Sequence, residues 1–158
     1  MSLSNFEHML QLASEVFDAH NDPQQLDIDE HVIERLKKLH PATVSEYEDG
    51  KGPVVWILLI PTTREIMNRF LNREISEQEL LDLTPTNTSL TCIYLCSAMV
   101  LPEYRGKGIA KRMTLEAIES IRKTHPIDTL YVWAFSKEGA ELAGSIARAS
   151  GLPISERQ

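Results

Sequence analysis

Residues 91–113 read TCIYLCSAMVLPEYRGKGIAKRM. The first ten are rich in β-branched, aromatic and apolar side chains, which is the signature of a strand. Pro102 then ends ladder pairing, because a proline nitrogen has no hydrogen to donate. Gly106 and Gly108 follow, and Ala110, Met113, Ala117, Ile118 and Ile121 recur at helical spacing over about 108–124. A strand, a glycine loop and a helix start, in that order, make an anion cradle. Glycines let the backbone approach closely, the first helical N–H groups point outward, and the helix dipole favours negative charge. Arg105, Lys107, Lys111 and Arg112 add full charges to it, in a chain whose formal net charge is -7. A ligand carrying several phosphate charges fits this pattern. A solvated basic turn would explain the charges but not the glycine spacing.

The loop is neither of the two commonest phosphate motifs. A Walker A loop needs a glycine five positions before the glycine of Gly-Lys and a hydroxyl after the lysine, but Leu101 and Gly108 stand at those places. A dinucleotide fingerprint needs a third glycine where Lys111 stands.

The rest of the chain bounds the answer. Its 158 residues, 42% hydrophobic and 25% charged, are those of one globular domain. The longest apolar run, PVVWILLIP, has strand length and falls well short of the ~18 residues that span a membrane. MSLSNFEHML lacks a charged segment followed by an apolar one, so no signal peptide is expected and the cytoplasm is. Cys92 and Cys96 sit four strand residues apart, roughly 13 Å, about twice the reach of a disulfide. They read as structural thiols, and no metal site is expected. The acidity argues against a nucleic-acid partner and suits a cationic or amine substrate.

Periodicity supplies the other elements. Ser4 and Glu7 make a capping box ahead of Phe6, Met9, Leu10, Ala13, Val16 and Phe17, a first helix. A second starts near Asp27 or Asp29, carries Val32, Ile33, Leu36 and Leu39, and stops at His40-Pro41. ATVSEYE and VVWILLI, joined by DGKGP, predict a hairpin whose second strand is buried on both faces. Thr62 with Glu65, and Ser76 with Glu79, predict two successive capped helices over 62–83, and TPTNTS a loop. TLYVWAF predicts a strand. SKEGAELAGSIARAS predicts a last helix, with Ser136 as N-cap and Gly151 just past its end. The prediction is one α/β (α+β) domain over 1–158, a mixed, mostly antiparallel sheet flanked by helices, with 62–84 a helical segment inserted between strands.

The loop and its context resemble the pyrophosphate loop of the GNAT superfamily of acyl-CoA N-acyltransferases, whose signature is Gln/Arg-x-x-Gly-x-Gly/Ala preceded by Val-x-Pro. Here it reads Arg105-Gly106-Lys107-Gly108-Ile109-Ala110 after Val100-Leu101-Pro102. The resemblance is strongest over about 90–135. It implies a GNAT-like fold whose sheet splays where the strand ending at Val100 leaves TLYVWAF. It also implies acetyl-CoA as acyl donor, with transfer of an acetyl group to a small-molecule or peptide amine. The backbone of Ala98, Met99 and Val100 would hold the pantetheine arm, and the Val100 N–H would polarise the thioester carbonyl. N–H groups of Arg105, Gly106, Lys107, Gly108, Ile109 and Ala110 would hold the pyrophosphate, with Lys107 or Lys111 reaching a phosphate.

Three departures stand against the family pattern. The chain opens on a helix rather than a strand. Only LPISERQ follows the last helix, too short for the two strands usual there. About 28 residues intervene between the strands the family joins by a tight turn. A sheet of four or five strands, completed or covered by a second copy, is the expectation. No catalytic base or acid is assigned. The strand 90–100 has no acid and the last helix no tyrosine. Glu103 reads as solvated and Tyr94 and Tyr131 as packing residues. Glu46 and Glu48 could face an acceptor, and the five histidines read as surface residues. The alternative to an enzyme is a GNAT-like module that binds acyl-CoA without turning it over.

Overall fold

The computed structural model describes residues 30–48, 50, 52–134 and 137–157. The first helix expected from Ser4 and the Ser136 cap lie outside the described residues. Val32, Leu36 and Leu39 form the buried stripe of α1 (Glu30–Leu39). The helix ends at His40 because a residue before proline is pushed out of helical geometry, and His40 has φ -170° and ψ 144°.

β1 (Val44–Glu48) and β2 (Pro53–Thr62) form the expected hairpin, with Val44 opposite Leu58 and Tyr47 opposite Val55. Every residue of β2 is buried, which is why its sequence shows no polar alternation. α2 (Arg64–Leu71) and α3 (Glu77–Leu83) follow. The Ser76–Glu79 capping box is present, with both reciprocal hydrogen bonds made. The cap expected at Thr62 is instead at Thr63, whose Oγ1 accepts from the Ile66 N–H at 3.3 Å. Thr62 is the last residue of β2, and its hydroxyl is bound to that of Thr84 at 2.7 Å. Thr84 in turn donates to the Leu80 carbonyl, which ties the end of α3 to the sheet.

β3 (Cys92–Val100) pairs antiparallel with β2, and parallel with β4 (Thr129–Val132) after a crossover through α4 (Ile109–Arg122). α5 (Lys137–Ser150) makes the second crossover, to β5 (Ile154–Glu156), parallel to β4. The strands stand in chain order, β1 to β5, and most of the ladder is antiparallel. The tail LPISERQ therefore supplies a fifth strand. It runs parallel to its neighbour, so it needs no hairpin and three residues suffice.

The sheet has a core on each face. Ile57, Leu59, Ile93 and Leu130 pack with Met113, Ile118 and Ile121 of α4 and with Ile146 of α5. Leu58, Ile60, Tyr94 and Tyr131 point the other way, against α1, α2 and α3. Phe70 centres this second core. It is fully buried, and its ring lies edge-on to Tyr94 at 4.9 Å and to Tyr131 at 6.0 Å. Phe70→Ala should therefore lower stability by about 3–5 kcal/mol in a denaturant melt. Parental stability would mean that α2 does not cover the sheet.

His40 and His125 are not surface residues in the ordinary sense. Each accepts a backbone N–H at Nδ1: His40 from Ala42, two residues on, at 3.0 Å, and His125 from Leu90, 35 residues back, at 3.2 Å. Their rings stand 6.3 Å apart. Burial lowers both pKa values below 6.5, and the neighbouring His125 lowers that of His40 further. A protonated Nδ1 cannot accept a hydrogen bond, so the folded chain resists protonation at both. With the folded pKa below the unfolded one, this stability is present above about pH 6.5 and lost as pH falls through the folded values. The melting temperature should fall between about pH 7.5 and pH 5.5. The fall should be smaller in a His40→Asn/His125→Asn variant, which keeps acceptors that do not titrate; an equal fall would assign it to other groups.

Candidate functional site

A β-bulge sets the site. Leu58 pairs with Ser97 but Leu59 pairs with Leu95, so Cys96 is the extra residue of β3. A bulge bends its strand and increases local twist. β3 and β4 are paired only from Cys92–Thr129 to Tyr94–Tyr131. Past that pair the strands part, and a cleft of about 850 Å³ opens between them. Leu95, Cys96, Ala98, Met99 and Val100 line one side; Val132, Trp133 and Ala134 begin the other, and α5 continues it with Glu138, Gly139, Leu142, Ala143 and Ile146. The mouth is the glycine loop, through Tyr104, Arg105, Gly106, Gly108, Ile109, Ala110 and Lys111.

The backbone along the cleft has unused hydrogen-bonding capacity. Successive strand residues turn their N–H and C=O groups to opposite neighbours. The Leu101 N–H donates to Val54 O of β2 at 2.9 Å. Met99 therefore turns its groups toward β2 as well, while Ala98 and Val100 turn theirs toward the cleft. The Val100 carbonyl accepts from Arg105 Nε at 3.0 Å, so that side chain fastens the loop to the strand end. Of Ala98, Met99 and Val100, the first and last turn backbone groups toward the cleft and Met99 turns its groups toward β2.

At the loop, Gly106 and Gly108 have φ of 78° and 75°. L-residues avoid this region, which is why glycine stands at both. A Cβ at either would meet open space, so conformation rather than crowding demands the glycines. Gly108 is the N-cap of α4, and the first intrahelical bond runs from the Arg112 N–H to the Gly108 carbonyl at 3.1 Å. The N–H groups of Ile109, Ala110 and Lys111 precede that bond and, as at any helix start, lack an intrahelical acceptor. They open beside the cleft with Arg105 and Lys111, a site suited to an anion. Nine of the ten residues singled out in the sequence line the cleft. Lys107 does not: it is exposed, with its ammonium 5.4 Å from the centre of the Tyr104 ring.

The candidate acids fall elsewhere. Glu103 is exposed on the 3-10 turn Pro102–Tyr104, and Glu48 is exposed on β1. Glu46 borders a separate shallow groove with Arg112 and Glu116, outside the cleft. Tyr94 and Tyr131 are fully buried, and Tyr94 donates to the buried Glu77 carboxylate at 2.5 Å. Burial, then the charge of Glu77, pushes the Cys96 thiol well above its usual pKa, so it stays protonated rather than acting as a thiolate. No group of three or more metal-ligating side chains exists among the described residues. The wall supplied by α5 went unnoticed in the sequence. Its signal was the i, i+3, i+4, i+7 row Gly139, Leu142, Ala143 and Ile146, small and apolar residues that read equally well as core.

Strand, parting, glycine loop and helix start together form one cleft with an anion-suited mouth. A model of the acetyltransferase (GNAT) family matches residues 8–141, and the chain belongs to that family. A search of the curated proteins finds no match. The match includes the β3 wall, the loop and the start of the facing wall, and it ends within α5, before Leu142, Ala143 and Ile146.

Replacing Gly108 tests the loop. Gly108→Val must hold a β-branched residue at positive φ, at a cost of about 1–3 kcal/mol, whereas asparagine tolerates that region far better. Gly108→Val should melt measurably lower than Gly108→Asn. Equal melting would show that the loop relaxes out of the left-handed geometry.

Proposed function

We propose that the protein is an N-acetyltransferase that moves the acetyl group of acetyl-CoA directly to an amine, in the cytoplasm. One observation carries this reading: the parting of β3 from β4 runs straight into a loop of left-handed glycines at the start of α4. An extended polar arm suits the parting, where Ala98 and Val100 offer N–H groups like those of a missing strand. A pyrophosphate suits the loop, where helix N–H groups and Arg105 and Lys111 converge. Both cysteines are free, as suits a reducing compartment. Among the described residues no helix is long and apolar enough to cross a membrane.

In this reading the acceptor nitrogen, having lost its proton, attacks the thioester carbon. The carbon–nitrogen bond forms, the carbonyl oxygen gains charge, and a backbone N–H facing the inner part of the cleft stabilises it; Val100, fastened to the loop by Arg105, stands too far out for that role. The carbonyl re-forms as the carbon–sulfur bond breaks, the nitrogen sheds its second proton to become the amide, and the departing CoA thiolate takes up a proton in its place. Glu138 is the acid on the described wall, which favours a cationic acceptor.

The second reading, a module that binds acyl-CoA without turnover, is favoured by one feature: the two central tyrosines are sealed in the core, away from the cleft. The deciding experiment measures CoA binding by calorimetry and thiol release from acetyl-CoA over a panel of amines. Binding with release supports the transferase, binding alone supports the module, and neither defeats both. Because several phosphate charges would meet Arg105 and Lys111 near the surface, where screening acts within ~8–10 Å, affinity should fall as salt rises. Affinity that stays flat from low to high salt would remove the basic residues from the site.

A further inference from the structure

Two residues beyond the last pair of the fork, Cys96 and Trp133 stand at the inner end of the cleft and line it. Trp133 is held from behind. The Arg157 guanidinium carbon lies 4.2 Å from the Trp133 ring and 4.5 Å from that of Phe70, a cation between two aromatic faces. Phe70 also meets Trp133 edge-on at 6.0 Å. Phe70, Tyr94, Tyr131 and Glu77 are all fully buried, and Arg157 is 5% exposed. The space behind the inner end is therefore filled, by side chains from α2, from α3 and from the residue that follows β5.

The length of the cleft says what reaches this end. From Val100 back to Cys96 is four strand steps, about 13 Å. The pantetheine arm of CoA has about a dozen bonds between phosphate and sulfur, the length of four extended residues, or about 14 Å. A donor with its pyrophosphate on the glycine loop has its thioester at Cys96 and Trp133. The acyl group then meets a wall with no room behind it.

We propose that Trp133, clamped by Arg157 against Phe70, forms with Cys96 the wall that sets acyl-group size and restricts the donor to short acyl groups such as acetyl. Trp133 and Cys96 are specificity-determining residues, and Arg157 is a positioning residue that acts through Trp133. This inference rests on the reading of the cleft as the acyl-CoA site, and its test separates the two.

The test compares the affinities of CoA, acetyl-CoA and hexanoyl-CoA for the whole chain by calorimetry, so it needs no acceptor. The parent should bind acetyl-CoA at least tenfold more tightly than hexanoyl-CoA. Trp133→Ala should bring that ratio near one while CoA affinity changes less than about threefold. Arg157→Leu, which fills the volume but releases the clamp, should shift the ratio in the same direction by less. Cys96→Ile narrows the same end without emptying the core, and it should weaken acetyl-CoA relative to free CoA even if Trp133→Ala fails to fold. A parent that binds hexanoyl-CoA as tightly as acetyl-CoA overturns the wall and leaves the CoA site standing. So does a Trp133→Ala or Cys96→Ile variant that folds with parental selectivity. A parent that binds none of the three overturns both readings.

Discussion

The separation of β3 from β4 beyond Tyr94 and Tyr131 is the constraint on which the site depends. Backbone N–H and C=O groups are rarely left without partners, and a sheet normally satisfies them by continuing. Here the bulge at Cys96 bends β3 while β4 remains held to β5, so pairing stops after three residues. The carbonyl of Val100 is taken by Arg105, which closes the end of the parting and anchors the glycine loop to it. The N–H groups left facing the gap make it a place for an extended ligand rather than a gap in the core.

The two faces of the sheet divide the work. On one, α4 and α5 pack over Ile57, Leu59, Ile93 and Leu130, and they supply the loop and the far wall of the cleft. On the other, α1, α2 and α3 cover Leu58, Ile60, Tyr94 and Tyr131. The helices inserted between β2 and β3 belong to this second face. They fill the ground behind the fork, with Phe70 and Glu77 directly behind Trp133 and Tyr94. The buried Glu77 carboxylate accepts from a phenol there, which offsets part of the cost of removing a charge from water.

The short final strand follows from the same logic. A parallel strand needs no turn to its neighbour, only a crossover, and α5 provides it. Three residues then suffice to hold β4 in line and to deliver Arg157 to the aromatic pair behind the cleft.

Much of the fold is legible in adjacent residues because its causes are local. Proline ends α1, the apolar run of β2 implies burial on both faces, Ser76 and Glu79 cap α3, and Gly106 and Gly108 permit left-handed geometry before α4. Each is a property of a few neighbouring residues, readable without knowing what lies across the molecule. The caps at Thr62 and Thr63 show the limit: two adjacent threonines offer the same hydroxyl, and only the end of β2 decides which one caps. The bulge at Cys96, the wall from Trp133 to Ile146, the nitrogen-acceptor roles of His40 and His125, and the Arg157 clamp were decided by tertiary structure. They depend on groups tens of residues apart meeting at one point. That meeting is set by strand register and by helix packing on both faces, which no local spacing encodes.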